Sequence, residues 1–394
     1  MTQLPSLPTL LRQSVSAALC VGILSVSAPA KADVQSLFLA SAGQLVQGVA
    51  LSPPVIASLA INPVVWQGIF VATGPYLTPY AEVARALALN PRQRLRPVPM
   101  PPQAISPVLG NNYSMVVSFG DSMSDTGNLF EISKRLGGVG LPTAPNVAGR
   151  FSDGPVVLEY LSDTLNLPLL NYAVGGAHSG SRNLIPGFAV QIGTLLQIDD
   201  FLANQPSMFT PVDARALYVI WTGPDDFYAD GNIFDKTTVA SVTANIKSGM
   251  TKLYARGARQ FYVPLMPDLS LTPSATEKNK TLTTYKRNAQ QRSSELAASV
   301  TAMLKAFAKQ YPRAQVRSFD TYTFSQQRTK QAAADGYDVS TPCYTPQVMG
   351  LPGPVCANPD RHLFWDTNHP TAAGSLVIGK AMAEGAISAP FSSR

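Results

Sequence analysis

Histidine and cysteine are both scarce in this chain, three of each among 394 residues. His178, His362 and His369 are therefore the whole stock of imidazole for proton transfer near neutral pH. Of the cysteines Cys20, Cys343 and Cys356, the last two lack partner ligands at zinc spacing, so no metal is expected. Charge is sparse as well: Asp, Glu, Lys and Arg make up 14%, against an ordinary 45% hydrophobic content, which argues against extensive disorder away from the ends. No basic-aromatic motif is present, and no nucleic-acid partner is expected. Internal repeats are absent. So is a long unbroken apolar run: Val55 to Val71 is apolar but interrupted by Asn62, Pro63 and Gly68, which disfavours a membrane span.

Residues 1–32 read as a cleavable secretory signal. Arg12 supplies a positive start, Ser14 to Ser27 carries no charge, and Ala30-Lys31-Ala32 offers a small-x-small cleavage site before Asp33. Bulky Leu19 weighs against a lipid anchor on Cys20. Cleavage removes two cations, Arg12 and Lys31, and lowers the net charge from +6 to +4. The expected location is secreted or periplasmic, with peripheral contact to an anionic membrane left open. Cys343 and Cys356 then remain as an even pair in an oxidising compartment, and a disulfide between them is expected. It would pin a Pro- and Gly-rich loop shortly before Asp366 and His369.

Residues 33–112 form a second segment. Not one charged residue falls between Val34 and Ala81, and Val34, Leu37, Phe38, Leu45 and Val49 keep helical spacing around Ser41. Short helices packed on the main domain, a lid or a pro-region fit this pattern. Pro91 to Gln103, with three arginines facing solvent, reads as an extended linker.

The most informative stretch is VVSFGDSMSDTGN, Val116 to Asn128. Val116 and Val117 open a buried strand, and Gly120 permits a sharp turn that pushes the Ser122 hydroxyl out of the sheet. That is the logic of a nucleophile on a strand-to-helix turn, although G-x-S-x-G itself is absent. Alone, the same residues fit a simple helix cap. FWDTNHPTAAG changes the weighing. A serine hydroxyl needs a base, imidazole suits the task, and a carboxylate fixes the imidazole tautomer. Of the three histidines, only His369 has a carboxylate, Asp366, at that spacing, and a following Pro370, which restricts the backbone before the proline. His178 reads as a polar loop residue, and nothing in the sequence orients His362. Asp153 reads as a turn residue, and Asn128 as a neighbour of the nucleophile turn rather than a catalytic group.

With these motifs in order, the chain resembles the SGNH, or GDSL-type, family of serine esterases and lipases, in its lipase-like branch. The resemblance runs from about Met115 to Ala383. FGDSMSDTGN resembles the first block, with Met123 in place of the usual leucine, a volume-conserving exchange. GRFSDGPVVLEYL, Gly149 to Leu161, is similar to the segment after it, and NYAVGGA, Asn171 to Ala177, to the second block. WTGPDDF, Trp221 to Phe227, stands where the third block belongs, and DTNHPT resembles the fifth. The resemblance implies Ser122 as nucleophile, His369 as base, Asp366 as its orienter, and an oxyanion hole from the Ser122 and Gly176 N–H groups, with Gly175 a close second to Gly176. It implies no metal or organic cofactor.

One residue departs from the pattern. Asp225 replaces the third-block asparagine whose amide helps bind the oxyanion. An ionised carboxylate only accepts hydrogen bonds. Three readings follow: a slow enzyme, a protonated Asp225 that donates its O–H as buried carboxylic acids do, or a variant with impaired chemistry.

Strands are expected at Met115–Phe119, Leu169–Tyr172, Ala216–Trp221, Gln260–Leu265 and Gln315–Phe319. Helices are expected at Val156–Leu165, Val190–Asn204, Thr237–Ala255, Lys280–Gln310 and Thr371–Ala386. This alternation predicts an α/β fold, a flavodoxin-like three-layer sandwich with a parallel sheet of about five strands and helices on both faces, spanning residues 113–394. In the long helix Leu282, Tyr285, Ala289, Leu296, Val300 and Phe307 form the expected core stripe, and Lys278, Lys280, Lys286 and Arg287 a solvated face.

The function expected is a secreted carboxylic-ester hydrolase, an esterase, lipase or phospholipase working through a serine acyl-enzyme on an acyl ester or lipid. Two alternatives stand beside it: an acyltransferase passing the acyl group to an alcohol, and a catalytically impaired binding protein. Oligomeric state is left open.

Overall fold

A computed structural model describes residues 113–135, 140–184, 192–205, 209–229, 232–346 and 353–391. The expected signal peptide (1–32), the apolar segment and linker (33–112) and the start of the helix expected from Val190 lie outside the described residues.

Five strands form one parallel sheet: β1 Val116–Gly120, β2 Leu169–Asn171, β3 Leu217–Trp221, β4 Gln260–Tyr262 and β5 Gln315–Arg317. Their spatial order is β2-β1-β3-β4-β5. Side chains alternate between two cores, as period-2 geometry demands. Val117, Phe119, Tyr218 and Ile220 enter one cluster, with Ile198 and Phe201 of α3 (Thr194–Ala203), Val242, Ile246, Met250 and Leu253 of α5 (Thr237–Ala255), and Leu296, Val300 and Phe307 of α7 (Tyr285–Gln310). Val116, Leu217, Val219 and Trp221 enter the other, with Val157, Leu158 and Leu161 of α2 (Val157–Thr164) and Met382, Ala383 and Ala386 of α9 (Ala372–Ala386). A sheet buried on both faces explains why β1 and β3 read as nearly unbroken apolar runs. The expected flavodoxin-like sandwich is the fold observed.

This strand order places the topological switch between β1 and β3, outside whose C-terminal ends open α/β sheets bind ligands. Gly120 and Trp221 pair there. A Cβ on Gly120 would sit 2.1 Å from the Trp221 carbonyl oxygen, so no other residue fits that close approach. Gln197 on α3 caps the same strand end: its amide nitrogen donates to the Gly120 carbonyl at 2.8 Å and its oxygen accepts the Gly120 N–H at 2.9 Å.

Four helices were not expected: α1 Asn128–Arg135, α4 Pro224–Tyr228, α6 Pro273–Thr281 and α8 Thr321–Ala334. The helix expected over Lys280–Gln310 begins only at Tyr285, as α7, and a short break separates it from the end of α6 at Thr281. Thr281, Thr283 and Thr284 explain the break, because β-branched hydroxyl side chains lose rotamer freedom in a helix and compete for its backbone groups. Leu282, expected in the core, lies in this break and is 47% exposed.

Candidate active site

The turn after β1 is built around two aspartates. The Asp121 carbonyl accepts the N–H groups of Ser124 and Asp125, each at 3.1 Å, and its Oδ1 accepts that of Met123. Asp125 is fully buried and accepts four N–H groups: Gly127 and Asn128 on Oδ1, Leu129 and Gly175 on Oδ2. It thus caps α1 and ties the nucleophile turn to the Gly-rich turn after β2. Asn128 adds two bonds across the same junction, donating to the carbonyls of Asn171 and Ala173.

Asp366 and His369 meet on one tight turn. Asp366 Oδ1 accepts the backbone N–H groups of Asn368 and His369, both at 2.8 Å, and its two oxygens lie 2.8 and 2.7 Å from His369 Nδ1. A carboxylate only accepts, so Nδ1 carries the proton and Nε2 presents a lone pair. Ser122 Oγ lies 2.7 Å from that Nε2, across 247 positions of sequence. Burial alone would lower the His369 pKa, but the Asp366 charge and hydrogen bond, helped by Asp121, carry it above the usual imidazole value. Burial pushes Asp366 the other way, and His369 with the backbone N–H groups brings it below the ordinary carboxylate value.

Neighbouring segments hold the turn in place. The Phe151 ring lies 5.0 Å from the His369 ring, and Asp153 accepts the Ala372 N–H at 2.6 Å, docking GRFSDG onto the start of α9. Cys343 and Cys356 form a disulfide. The Cys343 and Tyr344 N–H groups donate to the carbonyls of Phe364 and Trp365, so the chain at Cys343 abuts the segment leading into Asp366.

A cleft of about 880 Å³ opens over Ser122 and His369 and is lined also by Gly176, Tyr228, Asp225 and Lys278. The Gly175 N–H is consumed by Asp125, whereas Gly176 adopts a positive φ of 76° that suits glycine and faces the cleft. Among the described residues no hydrogen bond uses the Gly176 N–H. Asp225 sits in α4, 6% exposed, and its Oδ2 has no hydrogen-bond partner among the described residues. Burial first, then the charges of Asp121 and Asp226, hold the Asp225 pKa well above the ordinary value. Asp226 is engaged differently: its oxygens accept the Ser179 N–H and hydroxyl, and burial pushes it up to about 6. Burial also pushes Asp121 up to about 7.

His178 and His362 are not part of this constellation. His178 Nδ1 lies 3.8 Å from Asp226, and His362 Nδ1 3.9 Å from Asp338. Sequence reasoning missed Asp125, Gln197, Phe151 and Lys278. Asp125 had a readable signal, an acidic residue just before a helix start; the other three had none.

A sequence model of the GDSL-like Lipase/Acylhydrolase family matches residues 116–382, more than half of the chain. The chain belongs to that family. An ester hydrolase is the class of enzyme in which membership places it. The chain is 29% identical over 295 residues to the thermolabile hemolysin of Vibrio parahaemolyticus, a match covering 68% of this chain and 63% of that one. It is 25% identical over 350 residues to a GDSL esterase/lipase of Arabidopsis thaliana, covering 71% and 86%. With a phosphatidylcholine-sterol acyltransferase of Aeromonas hydrophila it shares 34% identity over 168 residues, covering 41% and 47%. Among the described residues no helix is long and apolar enough to cross a membrane.

Proposed function

We propose that this GDSL-family chain is an exported carboxylic-ester hydrolase in which Ser122 is the nucleophile, His369 the general base and Asp366 its orienter. The observation that carries the reading is the continuous hydrogen-bonded line Ser122–His369–Asp366, with links of 2.7 to 2.8 Å. His369 Nε2 takes the Ser122 proton as Oγ attacks the ester carbonyl, and gives it to the departing alcohol. The acyl-enzyme is then hydrolysed by water through the same base. The N–H groups of Ser122 and Gly176 receive the developing oxyanion.

Asp225 completes that hole as a neutral acid. Its buried, unpartnered Oδ2 and raised pKa support a carboxylic acid whose O–H donates where the family places an amide. The substrate is an acyl ester or lipid, a reading supported by the lipase, hemolysin and acyltransferase names of the relatives. Export is supported by the signal-like first 32 residues and by the disulfide.

Fluorophosphonate labelling of the purified protein, with the modified peptide mapped, tests the reading. Label on Ser122, and loss of hydrolysis by more than about a thousandfold in Ser122→Ala at unchanged Tm, is the expected result. Label elsewhere, or a substantial residual rate, refutes it. Product analysis with an alcohol acceptor present separates hydrolysis from acyl transfer.

A further inference from the structure

The cleft over Ser122 contains a cation that no described carboxylate neutralises. Lys278, on α6, lines it together with Asp225 and Tyr228. Its Nζ donates to the Tyr285 hydroxyl at 3.3 Å and lies 5.2 and 5.1 Å from the ring centroids of Tyr228 and Tyr285. Among the described residues no ion pair includes it. The adjacent acid, Glu277, pairs instead with exposed Lys280 at 2.5 Å. Lys278 was expected on a solvated face of the long helix. It is instead half-buried, and desolvation lowers its pKa.

An ammonium carries three N–H donors, and one phenol oxygen engages a single one of them. Two ring faces favour the charge but accept no conventional hydrogen bond. A partly desolvated cation left in this state costs free energy, which an incoming anion offsets. Arg328 also lines the cleft, but it is exposed to water, whereas Lys278 is half-buried. Lys278 is the cation packed against two phenol rings, those of Tyr228 and Tyr285.

We propose that Lys278 determines substrate specificity by binding an anionic group of the ester, a phosphodiester or a carboxylate, against Tyr228 and Tyr285. The proposal rests on the hydrolase reading and sharpens it: the acyl carbonyl lies at Ser122 while a negative charge elsewhere on the same molecule meets Lys278.

Two matched pairs of soluble substrates test it and separate the two sources of charge. One pair is dihexanoylphosphatidylglycerol and dihexanoylglycerol; the other is 6-(butyryloxy)hexanoate and hexyl butyrate. The readout is the ratio of kcat/KM for the charged over the neutral member. In Lys278→Met at least one ratio falls roughly tenfold or more, the size expected for losing a hydrogen bond between charged groups, and Lys278→Arg recovers part of it. Ratios equal to wild type in both pairs overturn the proposal, because a merely structural role lowers both members alike. Hexyl phosphate binding, followed by calorimetry, supplies a readout free of catalysis. Wild-type binding weakened about tenfold in Lys278→Met supports the site, and equal or absent binding in both forms overturns it. If wild type hydrolyses none of the four esters, the hydrolase reading fails while the calorimetry still judges Lys278.

Discussion

Replacing Asp225 with asparagine tests the least ordinary feature of the site. The side chain keeps its size, but a group that donates only while protonated becomes one that donates at every pH. Removing a single oxyanion donor costs roughly 2.7–4 kcal/mol, or about a hundredfold to a thousandfold in kcat. Burial and the neighbouring Asp121 and Asp226 hold the Asp225 proton well above the ordinary carboxylate range. Below the Asp225 pKa, therefore, wild type and Asp225→Asn have equal numbers of donors and differ little. Above it the wild-type carboxylate is charged, repels the oxyanion, and the variant gains, toward about a hundredfold when ionisation is complete. His369 shapes the acid side in both forms, since the base must be neutral to act. The wild-type profile of kcat against pH is thus a bell whose alkaline limb reports Asp225, and the variant loses that limb. Stability moves with it. The folded chain retains a proton on Asp225 that the unfolded chain releases above about 3.8, so wild-type stability falls as pH rises from there to the folded pKa. Asp225→Asn lacks that loss, and its Tm advantage grows over the same window. The assay is a pH series of kcat on one soluble ester, with Tm measured in parallel. An alkaline limb at the same pH in both forms, or a variant slower throughout, refutes the assignment of Asp225 to the oxyanion.

Further outcomes are expected. Because the Asp366 charge and hydrogen bond, with Asp121, together outweigh burial and raise the His369 pKa, the acid limb of kcat/KM falls above the usual imidazole value of 6.5; Asp366→Asn removes most of that support and drops kcat. Asp125→Ala leaves four buried N–H groups without their acceptor and lowers unfolding free energy by at least about 3 kcal/mol, measured in urea; Asp125→Asn, retaining one acceptor oxygen, loses less. Peptide mapping after iodoacetamide finds Cys343 and Cys356 unlabelled until reductant is added. Opening that loop costs roughly 3 kcal/mol.

The fold was legible because its sheet is buried on both faces. An all-parallel sheet must alternate with helices, and its strands must be apolar on both sides, so β1, β3 and α5 stand out in composition alone. What escaped notice was local. Helices α1 and α4 are short, and their start signals are the same Asp, Thr and Pro residues that mark turns. Helix α8 buries only Thr321, so no apolar stripe announces it. The break between α6 and α7 rests on a run of threonines, a weak propensity signal that the surrounding helical pattern hid.

The site divides along the same line. Ser122, Asp366 and His369 were found because the chemistry they suit demands particular side chains and the chain offers so few histidines. Their assembly depends on contacts no spacing encodes: Asp125 joining the turns after β1 and β2, Gln197 holding the end of β1, Phe151 and Asp153 steadying the His369 turn. Lys278 shows the limit most clearly. In sequence it belongs with Lys280, Lys286 and Arg287, and nothing sets it apart. Only the end of α6 at Thr281 and the position of Tyr285 on α7 turn one of four similar cations into a half-buried charge facing the serine's cleft. A charge pattern along a helix can be read as solvated only while the helix continues; where it ends, the next element's side chains decide which charge loses its water.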